Sequence, residues 1–200
     1  MPSFRLYLIT DRTLVADLPA AVDRALSGVP RGAAAVQLRE KDLGARALLE
    51  LARAVGARCR RHGAPLLVND RIDVALAAGA DGVHLAGSSV SVADARAVLG
   101  ERLIGASCHD RAELERAAGA DFATFGPIFP SRGKPNAIGF GALARHVGTS
   151  PLFALGGIDR ANAASAIGAG AHGVAAIRSW LEGDPAEAVE ALYDAVVPRG

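Results

Sequence analysis

Short apolar runs recur along the chain at FRLYLI (4–9), AAVQL (34–38), PLLVN (65–69), DGVHL (81–85), RLIGAS (102–107), DFATFG (121–126), PLFALGG (151–157) and HGVAAI (172–177). Each has the length of a buried β-strand. The stretches between them are Ala-rich and follow a helical period: Leu48, Leu49, Ala52, Val55 and Cys59 share one face, and Val92, Ala95, Arg96 and Leu99 lie beside a charged face. Strands that alternate with helices pair in parallel through right-handed crossovers. Eight such units in 200 residues predict a (β/α)8 TIM barrel, with residues 1–200 forming one α/β domain. An open doubly wound sheet is the competing arrangement. A weak repeat favours the barrel: Gly32-Ala33-Ala34, Gly79-Ala80-Asp81, Gly119-Ala120-Asp121 and Gly170-Ala171-His172 each precede an even-numbered strand, as stacked quarter barrels would. A helix-ending glycine before any strand explains the repetition equally well.

Composition narrows the class. Half of the residues are apolar, enough for a large core without cross-links. The net charge of +1 argues against broad attraction to nucleic acid or an anionic membrane, so any affinity for anions has to be local. Cys59 and Cys108, the only cysteines, lack metal or redox spacing and read as reduced thiols of a cytoplasmic protein. The N-terminus runs into a strand pattern without a basic leader, and no apolar stretch has the length of a membrane span.

In a barrel, the active site sits at the carboxyl ends of the strands. The polar residues found there are Thr10, Asp11 and Arg12; Gln37, Arg39 and Lys41; Asn69 and Asp70; His84; Ser107 and His109; Lys134; Gly156 and Gly157; and Arg178 with Ser179. Alternation along an extended segment puts Gln37, Arg39 and Lys41 on one side, an amide and two cations facing one space. With the carboxylate of Asp70 nearby, this suits a phosphorylated ligand and a divalent metal. Several ordinary roles compete with that reading. Arg39 and Lys41 can be solvated charges paired with Glu40 and Asp42, and Asp70 can cap the following helix. His109 is either an acid/base or a cap. His84, inside a strand, reads as an interior hydrogen-bonding residue, and His62, His146 and His172 fall away from the mouth. The long connection from Gly126 to Gly139, with Arg132 and Lys134, reads as a closing lid. Gly156-Gly157 exposes backbone amides of the kind that hold phosphate, or forms a tight turn capped by Asp159. No nucleophile elbow or dinucleotide glycine motif is present.

The ordered motifs YLITDR, VQLREKDL, LLVNDRIDVALAAGADGVHL, LIGASCHD, ADFATFGPIFPSRGK and FALGGIDRANA, from Tyr7 to about Ile177, resemble the thiamin phosphate synthase and TenI family. The resemblance implies a (β/α)8 barrel. It also implies a transferase that couples hydroxymethylpyrimidine diphosphate to thiazole phosphate, releasing diphosphate. It would make Gln37, Arg39, Lys41 and Asn69 the holders of the pyrimidine diphosphate, and Asp70 the ligand of Mg2+. Ser107 and Lys134 would reach the diphosphate, and Gly157 with the backbone near Ile177 would receive the thiazole phosphate. The chain departs from the family pattern at three places. Ala86-Gly87-Ser88-Ser89 puts Ser89 where a second metal aspartate is usual, Gly133 replaces a threonine, and Arg178 replaces a small residue. Its Leu85-to-Val92 stretch resembles the TenI branch, a thiazole tautomerase in which His109 would move a proton without metal and Arg178 would assist an anionic group. A non-catalytic barrel binding thiamin-related phosphates is the third alternative. The partners expected are small phosphorylated molecules, not nucleic acid or membrane, together with a second copy in a homodimer.

Overall fold

A computed structural model describes residues 1–130, 136–146 and 150–197. Eight parallel strands form a closed barrel in sequential order: β1 (Leu6–Ile9), β2 (Ala34–Leu38), β3 (Leu66–Asn69), β4 (Gly82–Leu85), β5 (Leu103–Cys108), β6 (Phe122–Phe125), β7 (Leu152–Leu155) and β8 (Gly173–Ala176). The pairing of β1 with β8, Tyr7 opposite Ala175, closes the ring and removes the open-sheet alternative. The helices are α1 (Leu18–Ser27), α2 (Ala45–Arg61), α3 (Ile72–Ala78), α4 (Val92–Leu99), α5 (Arg111–Arg116), α6 (Gly139–Ala144), α7 (Ala163–Gly168), α8 (Arg178–Leu181) and α9 (Pro185–Val196). No helix among the described residues is long and apolar enough to cross a membrane.

Alternation divides each strand between two cores. Outward residues such as Leu6, Leu8, Val36, Leu38, Val83 and Ile104 join the buried helix faces, including Leu48, Ala52, Val55 and Cys59 of α2. The inward ones form a second cluster of Tyr7, Ile9, Ala35, Leu67, Phe122, Phe153 and Ala175, floored by Phe4. Phe4, Phe122 and Phe153 pack with centroids 5.2–5.5 Å apart. Glycine makes room for these rings. A Cβ on Gly105 would stand 2.7 Å from Phe122 Cζ, and one on Gly173 would stand 2.6 Å from Phe153 Cε1. The lower interior is thus filled with rings and glycines, and the polar inward residues are left at the carboxyl ends.

The glycine repeat has a structural counterpart, though not quite the expected one. All four glycines take left-handed φ, but only Gly79 caps a helix directly; Gly32, Gly119 and Gly170 turn the chain one or more residues after the cap. Two of the repeats share a device: Asp81 accepts the Leu66 N–H at 2.8 Å and Asp121 the Ile104 N–H at 2.7 Å, each tying an odd strand to the next even one. Strand β7 ends at Leu155, earlier than the apolar run suggests, because Gly156 and Gly157 turn to φ 98° and 63°.

Tight packing at the base makes Gly82 intolerant of a side chain, since its Cβ would fall 2.0 Å from Leu103 O. Gly82→Ala is expected to lower unfolding stability by about 1–3 kcal/mol. Gly141→Ala, on α6 with nothing within 4 Å, should be neutral or stabilising, both variants being read by urea titration.

Candidate active site

A cavity of about 1120 Å3 opens over the carboxyl ends of the strands. Gln37, Arg39, Lys41, Asn69, Ser107, His109, Gly157, Ile177 and Arg178 all line it. Gln37 faces inward at the end of β2, and its Nε2 donates to Asn69 Oδ1 on β3 at 3.3 Å, making one amide pair from two neighbouring strands.

Beyond β2 the charges sort by partner. Glu40 is buried and accepts from Thr10 Oγ1 at 2.6 Å and from the Arg12 N–H at 3.1 Å, while Asp42 pairs with Arg12 at 2.5 Å. Thr10 Oγ1 in turn accepts the Arg39 N–H at 3.0 Å. The carboxylates expected to neutralise Arg39 and Lys41 are therefore engaged elsewhere. Neither cation has an ion-pair partner among the described residues, and both face the cavity. The surface-pairing alternative does not hold, and Thr10 and Arg12 belong to this support rather than to the cavity wall.

Asp70 follows β3 in the left-handed region, φ 64°, with its N–H donated to His84 O at 2.9 Å. A carboxylate residue held there is strained by the Cβ clash that glycine avoids. Asp70 is no helix cap, because the N-cap of α3 is Arg71, without a side-chain bond. Its exposed carboxylate accepts a hydrogen bond from Ser89 Oγ, which itself accepts the Ala86 N–H at 2.7 Å. Asp70, the implied metal ligand, therefore touches Ser89, which stands where the second metal aspartate is usual, and both lie outside the cavity lining. Asp73 is committed to Arg71 at 2.6 Å, and no group of three or more His, Cys, Asp or Glu gathers for a metal among the described residues.

His84 is buried between Tyr7 and Ser107, as expected of an interior hydrogen-bonding residue. Its Nδ1 lies 3.2 Å from Tyr7 Oη and its Nε2 3.0 Å from Ser107 Oγ. Burial, with Arg39 nearby, pushes its pKa down to about 3, so the ring is neutral at physiological pH. Cys108 also lines the cavity, and burial pushes its thiol up to about 12, too high for a thiolate nucleophile.

At the end of β5, Asp110 caps α5 and Glu113 reaches back to His109, accepting its backbone N–H at 2.6 Å and pairing with Nδ1 at 2.8 Å. The cap is therefore Asp110, and His109 presents a carboxylate-held ring to the cavity.

On the opposite side Gly156 and Gly157 sit against the loop after β6. A Cβ on Gly156 would come within 2.6 Å of Pro127, and one on Gly157 within 2.7 Å of Phe129 Cβ. Ile128 N–H donates to Leu155 O at 2.8 Å, and Phe129 N–H to Gly156 O at 3.0 Å. The expected lid thus has a pinned stem, while Arg132 and Lys134 lie outside the described residues. Asn162 Nδ2 braces Gly157 O at 2.9 Å, and Asp159 closes an Asx turn on the Ala161 N–H at 2.8 Å rather than capping α7. After β8, Trp180 donates to Ile9 O at 3.1 Å and docks α8, and Arg178 pairs with Glu182 at 2.7 Å. Loops after β7 and β8 with a short extra helix are where barrels hold phosphate.

Thr124 and Glu40 were not among the sequence candidates. Thr124 lines the cavity, and its inward parity two residues after Phe122 is the signal that marks it.

The profile of the family described as thiamine monophosphate synthase (TMP-TENI) matches residues 6–180. A protein of Geobacter sulfurreducens, provisionally named a thiamine-phosphate synthase, is 50% identical over 98% of this chain and 96% of its own. The thiamine-phosphate synthase of Chloroflexus aurantiacus is 40% identical over 97% and 93%. Among solved structures, thiamine phosphate pyrophosphorylase from Pyrococcus furiosus superposes with a TM-score of 0.88 at 32% identity, covering 98% of this chain and 96% of that one.

The depressed pKa of His84 has a consequence for stability. Between about pH 6.5 and 3 the unfolded chain takes up a proton at this ring and the folded chain does not, so stability falls as pH falls through that window. The slope is about 1.4 kcal/mol per pH unit. Urea unfolding at pH 6.5 and pH 5 should show wild type losing about 2 kcal/mol more than His84→Gln.

Proposed function

Because the chain belongs to the thiamine monophosphate synthase family, we propose that it couples hydroxymethylpyrimidine diphosphate to thiazole phosphate, releasing diphosphate and forming thiamine phosphate. The observation that carries this reading is the pair of cations without ion-pair partners, Arg39 and Lys41, facing a glycine-lined phosphate corner across one cavity. One wall suits a diphosphate, and the other suits a phosphate monoester at Gly157 and the backbone of Ile177, with Arg178 alongside.

In the reaction the bond from the pyrimidine methylene to the diphosphate oxygen breaks, its electron pair leaving with diphosphate. The thiazole nitrogen lone pair then forms the new bond to that carbon. No protein nucleophile is required, which agrees with thiols held protonated. Arg39, Lys41 and Lys134 stabilise the charge that develops on the leaving group, Ser107 donates to it, and the Gln37–Asn69 amide pair orients the donor substrate. Mg2+ bound by a diphosphate needs one or two carboxylates and keeps several waters. The exposed Asp70 carboxylate, with Ser89 at its Oδ1, suits that small share of the ligands. When bound there, the ion would neutralise charge on the departing diphosphate. The free, buried cysteines accord with a reducing, cytoplasmic setting.

One observation favours the tautomerase as a second reading: Glu113 holds the His109 ring at the cavity wall, as an acid/base requires. Coupling assays with both substrates decide. Arg39→Ala and Lys41→Ala should each lower kcat/KM by about 10²–10³ with unchanged circular dichroism, and His109→Ala should retain coupling. Wild type that does not couple the two substrates overturns the synthase reading, unimpaired coupling in both cation variants overturns the role given to Arg39 and Lys41, and thiazole isomerisation abolished by His109→Ala supports the rival.

A further inference from the structure

Ser107 Oγ makes one hydrogen bond among the described residues, to His84 Nε2. Its worth to an anion depends on which partner donates. If the serine hydrogen points at His84, an oxygen lone pair faces the cavity and repels phosphate. If His84 donates instead, the hydroxyl hydrogen is left for the ligand. A neutral imidazole has one N–H and one lone pair, so the partner at Nδ1 fixes the role of Nε2.

That partner is Tyr7. Its ring is fully buried, its hydroxyl has His84 Nδ1 as its one partner among the described residues, and burial holds its pKa well above the usual phenol value. A phenol O–H sealed in an apolar interior has to be donated, or it forfeits a buried hydrogen bond. The acceptor in reach is Nδ1. The opposite tautomer would aim an N–H at Tyr7 Oη and leave the phenol hydrogen without an acceptor.

The arrangement is built around the ring. Gly105 lies opposite His84 in register, and a Cβ there would come within 2.6 Å of His84 Nδ1, so glycine makes the space the imidazole occupies. The Tyr7 and Phe122 rings flank it at centroid distances of 5.5 and 6.1 Å. The imidazole is therefore confined, with Tyr7 below and Ser107 above it at the cavity.

We infer that Tyr7 and His84 are positioning residues that set the polarity of a hydrogen-bond chain, Tyr7 Oη–H to His84 Nδ1 and His84 Nε2–H to Ser107 Oγ, so that Ser107 donates its hydrogen to an anionic ligand in the cavity. The ligand named, diphosphate, rests on the synthase reading; the direction of the chain does not. No proton is transferred: the chain fixes donors in advance of binding, so no reorientation is needed when the anion arrives.

Nitrogen-15 NMR of histidine-labelled wild-type protein at neutral pH reads the tautomer directly. A pyrrole-type Nε2 and a pyridine-type Nδ1 for His84 are expected, and a hydrogen on Nδ1 overturns the chain whatever the protein binds. Calorimetry with inorganic diphosphate and Mg2+ reads the consequence. Ser107→Ala and His84→Met should each weaken binding about tenfold to a hundredfold, the range for a hydrogen bond to a charged group. His84→Gln, whose amide can donate from nearly the Nε2 position, should stay within about threefold. In a Ser107→Ala background, His84→Met should add no further loss. An equal loss there would mean that His84 acts through packing alone and overturns the inference. Wild type that binds no diphosphate overturns the synthase reading and the ligand assigned to Ser107 together, while the NMR result separates that outcome from a failed relay.

Discussion

A closed ring of eight short parallel strands sends every second side chain into one narrow interior, and the rest of the molecule follows from that confinement. Near the base the interior is sealed from solvent, so inward positions carry rings that interlock with Gly105 and Gly173. Toward the carboxyl ends the same parity delivers Gln37, Asn69, Ser107 and Thr124, polar groups that reach one cavity without any loop having to place them. His84 sits where the two regimes meet. It is too deep to carry charge, and its ring nitrogens contact one group on each side.

The chain is nearly neutral, so an anion site needs charges separated over short distances rather than a field over the whole surface. Along Arg39-Glu40-Lys41-Asp42 the signs alternate, and simple neighbour pairing would cancel them. Burying Glu40 against the β1 end, and drawing Asp42 to Arg12, removes both carboxylates from competition. A buried carboxylate is costly unless it is fully hydrogen-bonded. Thr10 and the Arg12 N–H supply those bonds, and Thr10 also receives the Arg39 N–H, so the backbone carrying the cations is held by the residue that accommodates the anion.

The fold was legible in the chain because eight apolar runs alternate with helical periods, and the strands fall inside the predicted runs except β5, which extends one residue further to Cys108. Parity at strand ends was equally readable for Gln37, Asn69 and Ser107. What stayed hidden depends on tertiary partners. Glu40 reads as a surface charge because its partners, Thr10 and the Arg12 N–H, come from the segment after β1. Thr124 reads as strand filler within an apolar run. The left-handed φ of Asp70 has only a weak local sign, since aspartate enters that region far less often than glycine does. The role of the repeated aspartates is visible only when Asp81 and Asp121 are seen to accept backbone N–H groups from the preceding strands.

The Asp70 corner shows how such tertiary placement bears on charge. Asp70 takes a left-handed φ, and its carboxylate meets the Ser89 hydroxyl of the loop after β4 rather than a second anion. Two facing carboxylates would repel each other and attract a hard cation even without substrate; a carboxylate facing a hydroxyl has no such repulsion and attracts a cation more weakly. On the synthase reading, an ion at this corner would take its remaining ligands from diphosphate and water, which would tie metal affinity to the presence of the donor substrate. On that reading Arg39 and Lys41 would carry more of the work of holding the diphosphate, consistent with their being the cations at this wall left without ion-pair partners among the described residues.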